Sequence, residues 1–239
     1  MTNEANCPLS DTCRLAGEPN QCTPSCTAYV SVMARYKASR LPLEYRNTYL
    51  SNSPAKDGQS AIYDALERYI DTFDKDDVRI KSLYLYSTSP GTGKTTTAGA
   101  LLNEYIRKRF VYYAKKGERP PTTLALFVDV NDLQRRYNLA AMTSDTEELT
   151  AIKRELQAVA TVEFAVLDDI GVRKDVTDSF RSLVHSMVNA RLTNHLPTVY
   201  TSNLPVRDMR KVFDERLGDR IADMTAELTF KGDSQRGVR

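Results

Sequence analysis

The sequence predicts an α/β fold, in which a mostly parallel five-stranded sheet forms the middle of a three-layer domain. Short apolar runs alternate with stretches of helical periodicity, an arrangement typical of parallel sheets covered by helices. One apolar run, residues 83–86, leads into a Gly/Pro-rich loop and a helix, and another, residues 164–168, ends in two acids. The 239 residues suffice for one well-packed core and a small additional module.

The remaining strands follow from the same alternation. Apolar runs at residues 124–128, 198–203 and 228–230 predict three further strands. Two helices are expected between the second and third strands, at about Asn131–Tyr137 and Thr146–Ala160. A helical stripe at residues 62–73 is expected before the first strand, and another helix at residues 28–37.

The loop after the first strand has the pattern of a nucleotide-binding P-loop. Backbone N–H groups and a helix N-terminus there form an anion site suited to phosphates. Lys94 can reach the β- and γ-phosphates, and the Thr95 hydroxyl can bind Mg²⁺. Thr88 stands where the general pattern has its first glycine, but the flanking strand and helix argue against a chance Gly-rich turn. The predicted phosphate-binding residues are Ser89, Pro90, Gly91, Thr92, Gly93, Lys94, Thr95 and Thr96.

The acidic pair Asp168-Asp169 is predicted to face the P-loop, because ligands bind at the carboxyl ends of strands in open α/β sheets. Asp168 is placed to hold the hydrated Mg²⁺, as a Walker-B aspartate does. Asp169 is the candidate to orient or activate water. Two acids that merely cap a strand are the alternative, which the preceding P-loop disfavours.

All four cysteines lie in the first 26 residues, as the pairs Cys7/Cys13 and Cys22/Cys26. Four thiolates satisfy tetrahedral Zn²⁺, so one zinc ion is predicted here, although the spacing also allows four unpaired thiols. The N-terminus has no signal-peptide pattern and no stretch is long and apolar enough to span a membrane, so a cytoplasmic protein is expected.

The end of the P-loop helix is rich in basic and aromatic residues. Such interleaving suits phosphate neutralisation and base stacking by single-stranded DNA, but a solvated helix end is an equal alternative. The net charge of +2 does not decide between them. The cations concerned are Arg107, Lys108, Arg109, Lys115 and Lys116.

The ordered set of motifs resembles bacterial and phage replicative-helicase loaders of the DnaC/DnaI type, which are AAA+ ATPases. The residues that carry the resemblance are the P-loop, the run 165–171, Thr201-Ser202-Asn203-Leu204-Pro205, Asp219-Arg220-Ile221 and Gly232-Asp233-Ser234-Gln235-Arg236. The resemblance covers about residue 41 to the C-terminus. Asp-Asp replaces the Asp-Glu of most AAA+ enzymes, as is normal in this family, and favours slow hydrolysis.

The resemblance implies roles for individual residues. Asn203 matches the sensor-1 residue, and Arg220 matches an arginine finger that reaches the nucleotide of a neighbouring subunit, with Arg216 as second choice. Arg236 matches the closing basic residue that contacts nucleotide. Residues 131–160 match a region that contacts single-stranded DNA in loaders and initiators. A solvated helix face is the alternative for both arginines.

The predicted domains are an N-terminal zinc-binding and helicase-interaction domain at residues 1–45, a linker at 46–60 and an AAA+ ATPase domain at 61–239. The implied function is ATP-dependent loading of the replicative helicase onto single-stranded DNA by a homo-oligomer, with ATP, Mg²⁺ and Zn²⁺ bound. A transposition helper ATPase and a non-enzymatic, nucleotide-switched adaptor are the alternatives. A small-molecule kinase is disfavoured because no second substrate segment or lid is evident.

Overall fold

The computed structural model describes residues 2–76, 78–171 and 177–232. Five strands form one fully parallel sheet in the order β2-β3-β4-β1-β5. This confirms the predicted α/β class and the parallel five-stranded sheet. The strands are β1 Ser82–Tyr86, β2 Ala125–Asp129, β3 Phe164–Asp168, β4 Thr198–Ser202 and β5 Thr225–Thr229.

Eight α-helices lie in the described part of the chain. The two helices expected between β2 and β3 are present and are somewhat longer than predicted. The helices are α1 Thr27–Ala38, α2 Ser60–Ile70, α3 Lys94–Lys115, α4 Val130–Thr143, α5 Thr146–Thr161, α6 Asp178–Thr193, α7 Met209–Val212 and α8 Glu215–Met224.

The strands divide their side chains between two hydrophobic clusters, one on each face of the sheet. In β3, Phe164 and Val166 join the cluster beneath α1, α2 and α3, whereas Ala165 and Leu167 join the cluster formed with α4, α5, α6 and α8. This alternation follows from the two-residue period of a strand. Because helices cover both faces, β3 and β4 are buried along their whole length.

The segment before α2 packs into the same core as the sheet. Leu41, Leu50 and Ala55 are each at most 2 % exposed and belong to the cluster beneath α3. Asn103 of α3 donates its side-chain amide to the carbonyls of Tyr45 and Thr48, both at 2.8 Å. The predicted linker at 46–60 is therefore packed against the domain that contains the sheet, and the functional division at residue 45 stays a prediction.

No helix within the described ranges combines the length and the apolar character needed to cross a membrane.

Candidate functional site

The P-loop connects β1 to α3 by a backbone that only glycine adopts easily. Gly91 and Gly93 have φ values of 76° and 94°, in the left-handed region that disfavours other residues. An ideal Cβ on Gly93 would lie 2.4 Å from the Ala55 Cβ. The loop is thus closed on one side by the segment before α2, and its amides and the start of α3 form an anion site.

Lys94 is held at the centre of this site. Its ammonium donates to the Asn203 Oδ1 at 2.8 Å and to the Ser89 carbonyl at 3.2 Å. Asn203 directly follows β4, the neighbour of β1 in the sheet. The sheet order therefore brings together two residues that are 109 positions apart.

Asp168 and Thr95 provide oxygen atoms suited to a divalent cation. The Thr95 hydroxyl donates to one carboxylate oxygen of Asp168 at 3.2 Å, and the Thr201 hydroxyl donates to the other at 2.7 Å. Burial raises the pKa of Asp168 to about 6, against the effect of these two bonds. A cation beside this buried carboxylate would offset the cost of its desolvation, and hard oxygen ligands suit Mg²⁺, so the residues fit the predicted metal.

Asp169 has a strained backbone and a fixed side chain. Its φ of 54° is in the left-handed region, and its amide donates to the Thr201 hydroxyl at 2.8 Å. The Asn131 side-chain amide, at the start of α4, donates to the Asp169 carboxylate. Asn131 therefore holds the predicted water-orienting group, a contact that sequence reasoning did not identify.

One open cavity of about 550 Å³ contains these groups. Its lining includes five of the residues that the sequence proposed for the site, Lys94, Thr95, Asp168, Asp169 and Asn203. Its other wall was missed by sequence reasoning, because residues 44–55 resemble an ordinary connector. The additional lining residues include Glu44, Tyr45, Pro54, Ala55, Asp129 and Thr201.

Arg216 and Arg220 lie away from this cavity, on α8. They line a second open cavity of about 280 Å³ together with His185, Asn189 and Asp214. Arg220 contacts α6, whereas Arg216 is exposed. Arg236, the predicted closing residue, lies outside the described residues.

The four cysteines line one small cavity near the N-terminus. Partial burial raises the pKa of the Cys7 thiol, as do the other three cysteines nearby. However, no group of three or more His, Cys, Asp or Glu side chains in the described chain is placed to hold a metal ion. The cysteines share a cavity without forming a ligand set, so the predicted zinc ion is not supported.

The basic end of α3 is engaged in ion pairs with acidic neighbours. Arg107 contacts Asp11 and Glu104 at 3.0 and 2.8 Å, and Lys108 contacts Asp71 at 2.9 Å. The other two pairs are Arg109 with Glu163 at 3.4 Å and Lys116 with Asp76 at 2.8 Å, while Lys115 is exposed. This pairing favours the structural alternative over a nucleic-acid surface.

Comparisons with known proteins agree with the motifs. No family model matches the chain. The replicative helicase loader DnaC of Buchnera aphidicola subsp. Schizaphis graminum is 29 % identical over 181 residues, which are 75 % of this chain and 65 % of that relative. The crystal structure of a DnaC helicase loader is 25 % identical, with a TM-score of 0.57 over 80 % of this chain and all of that one. The chain resembles helicase loaders of the DnaC type.

The resemblance that the motifs predicted is thereby confirmed, and the fold is that of AAA+ domains. The AMPPCP-bound DnaA of Aquifex aeolicus shares this fold, with 16 % identity and a TM-score of 0.54 over 81 % of this chain and 52 % of that one. The match spans less than two thirds of the DnaC relative's length.

Proposed function

We propose that this chain is an ATP-dependent loader that places a replicative DNA helicase on single-stranded DNA in the cytoplasm. The observation that carries the proposal is the convergence of Lys94, Thr95, Asp168, Asp169 and Asn203 around one open cavity at the P-loop. A site that only bound nucleotide would need neither the second acid, Asp169, nor the Asn203 side-chain amide beside Lys94. The resemblance to DnaC-type loaders supports helicase loading as the use of this ATPase.

In the nucleotide-bound protein, Lys94 neutralises phosphate charge, and the P-loop amides orient the β- and γ-phosphates. Thr95 and Asp168 would hold Mg²⁺, which would supply positive charge beside the transferred phosphoryl group. Asn203 orients the γ-phosphate or the attacking water, and Asp169 accepts the proton of that water. Because Asn131 holds Asp169 and an aspartate reaches less far than a glutamate, we expect slow turnover, with ATP used as a switch.

The test separates binding from chemistry. Lys94→Ala removes a charge-assisted bond worth about 1.5–3 kcal/mol, so ATP should bind about 10- to 150-fold more weakly. Asp169→Asn should bind ATP normally but hydrolyse it at least about 100-fold more slowly, the usual contribution of a general base. Calorimetric titration and a steady-state ATPase assay measure the two effects. Normal hydrolysis by Lys94→Ala would show that the site is assigned wrongly.

Arg220 is proposed to act in trans, as the finger of a neighbouring protomer in a homo-oligomer. Its position on α8, away from the cavity of its own protomer, supports this role. An arginine finger is worth about 10³–10⁵ in rate in other NTPases. Arg220→Ala should therefore lower hydrolysis without weakening ATP binding.

The N-terminal segment is proposed to contact the helicase. Val30 and Met33, one helical turn apart on α1, are 54 % and 36 % exposed, and Leu15 is 46 % exposed. Apolar side chains exposed together in this way are typical of protein-binding surfaces. Val30→Asp with Met33→Asp should abolish capture of the replicative helicase. The matched control, Leu139→Asp with Met142→Asp on α4, changes two apolar residues that are even more exposed, at 57 % and 85 %, and should retain it.

A helicase complex that survives the α1 substitutions would contradict this surface. Absence of any helicase complex with the unmodified protein, with or without ATP, would instead favour a transposition helper.

A further inference from the structure

One face of α6 carries a regular polar stripe directed at α8. His185, Asn189 and Thr193 are spaced four residues apart, so their side chains project from the same side of the helix. Each of the three makes a hydrogen bond to α8 or to the residue that caps it. The stripe therefore fixes α8 at both its beginning and its middle.

The contacts divide into two groups. His185 Nε2 lies 2.7 Å from one carboxylate oxygen of Asp214, whose other oxygen accepts the Leu217 amide at 2.8 Å and caps α8. One turn further on, the Arg220 guanidinium donates to the Asn189 Oδ1 and, at 3.2 Å, to the Thr193 hydroxyl.

The remaining sides of α8 are held by packing. Leu217 and Ile221 are buried in the core. An ideal Cβ on Gly218 would lie 2.5 Å from the Arg210 backbone nitrogen, so α8 and α7 approach more closely than any other residue would allow. The backbone that carries Arg220 is thus rigidly placed, and the conformation of its long side chain depends on Asn189 and Thr193.

A guanidinium has five N–H donors in a fixed plane. Two of its nitrogens are engaged by α6, which leaves further donors for a ligand, and Arg220 lines the open cavity of about 280 Å³. An arginine ordered in this way loses less conformational freedom when it binds an oxyanion than one that is free in solvent.

We propose that Asn189 and Thr193 are positioning residues for Arg220, which they orient at the protomer surface before it contacts the triphosphate of a neighbouring protomer. This inference rests on the proposed trans role of Arg220. Asn189→Ala should lower the rate of the shared site about tenfold, as expected for the removal of a bond to a charged group. Thr193→Val should also lower it, and Thr193→Ser, which keeps the hydroxyl, should restore it.

A mixing experiment separates positioning from structural support. Full-length Lys94→Ala protein donates the finger but binds no ATP tightly, and Arg220→Ala protein donates only the pocket, so their mixture should partly recover hydrolysis. Asn189→Ala added to the finger donor should reduce the recovered rate about tenfold, and added to the pocket donor it should have no effect. Ser186→Ala, on an exposed position of the same helix, should change neither mixture.

The outcomes distinguish the shared site from the positioning role. Thermal unfolding first shows that both proteins are folded. If their mixture then recovers no hydrolysis, the shared site and the positioning role are both overturned. If Asn189→Ala lowers the recovered rate equally whichever donor carries it, Asn189 only supports the fold. If Asn189→Ala lowers the recovered rate in neither donor, Arg220 needs no orientation. Both of these results overturn the positioning proposal while leaving the shared site intact.

Discussion

At Gly93 the P-loop passes so close to the segment before α2 that a single methyl group decides whether the site can form. Gly93→Ala would place a Cβ 2.4 Å from that of Ala55, at a φ of 94° that alanine adopts poorly. We expect this variant to lose ATP binding measured by calorimetry. Gly117→Ala is the matched control, because its φ is also positive, at 70°, but nothing lies within 4 Å of the added Cβ.

Gly117→Ala should lower the free energy of unfolding by about 1 kcal/mol through backbone strain alone and leave ATP binding unchanged. Equal ATP affinity in the two variants would show that the contact between Ala55 and the P-loop does not shape the site.

At the scale of single elements, the start of α8 depends on Asp214. Asp214→Ala should lower the free energy of unfolding by about 1 kcal/mol through loss of the N-cap, whereas Asp214→Asn should retain the cap. The bond from the Leu217 amide and the contact with His185 lower the pKa of Asp214, so the folded state favours the carboxylate. The carboxylate therefore contributes stability above the pKa of the unfolded chain, about 3.9, and loses it as the pH falls through the folded pKa.

Urea unfolding of the unmodified protein and Asp214→Asn across this pH range measures the effect. The difference between their free energies of unfolding should be present at neutral pH and should shrink below about pH 4. A difference that stays constant down to about pH 3 would assign the effect to shape rather than to charge.

Helices α3 and α5 differ in how many of their cations are free of ion pairs and so available to bind nucleic acid. On α5, Lys153 and Arg154 are exposed, and neither has an ion pair among the described residues, whereas three cations of α3 and Lys116, which caps it, are paired. If α5 binds single-stranded DNA, the affinity of the protein for DNA should fall less steeply with salt once Lys153 and Arg154 are neutralised. The slope of log affinity against log salt concentration should shrink by about one unit for each phosphate that the variant no longer neutralises.

Neutralising Lys108 of α3 and Lys116, which caps this helix, provides the comparison. It should change the slope less, because both charges are already paired with neighbouring carboxylates. A larger change in the slope on neutralising Lys108 and Lys116 would indicate that the end of α3 binds DNA instead.

At the scale of the whole molecule, residues 27–60 complete the core of the domain that contains the sheet. Leu41 and Leu50 are at most 2 % exposed, and the hydroxyl of buried Tyr36 donates to the Asn103 carbonyl at 3.1 Å. A fragment of residues 61–239 lacks all three, and each buried leucine alone is worth about 1.5–3 kcal/mol. Because domains are stable by only about 5–15 kcal/mol, this fragment should unfold at a much lower temperature than a fragment of residues 27–239.

Circular dichroism melting of the two fragments, with and without ATP, makes the comparison. Equal melting temperatures would support the boundary at residue 61 that the sequence predicted.

The sequence by itself determined the features that depend on neighbouring residues. The P-loop is contiguous, so its glycines, Lys94 and Thr95 reveal both the anion site and the turn that forms it. Asp168 and Asp169 end an apolar run, and in a parallel sheet such an end faces the ligand whatever the strand order. The alternation of apolar runs with helical stretches was enough to predict the sheet and the two helices between β2 and β3.

The tertiary structure decided which distant groups meet. The pairing of β1 with β4 brings Asn203 to Lys94, and the packing of the connector against α3 places Ala55 on Gly93. Asn131 meets Asp169, and Asn189 meets Arg220, across helices whose packing has no signature in a single sequence. The basic end of α3 resembles a nucleic-acid surface until its acidic partners are seen. Each of these contacts joins segments far apart in the chain, and only the folded core sets the distances between them.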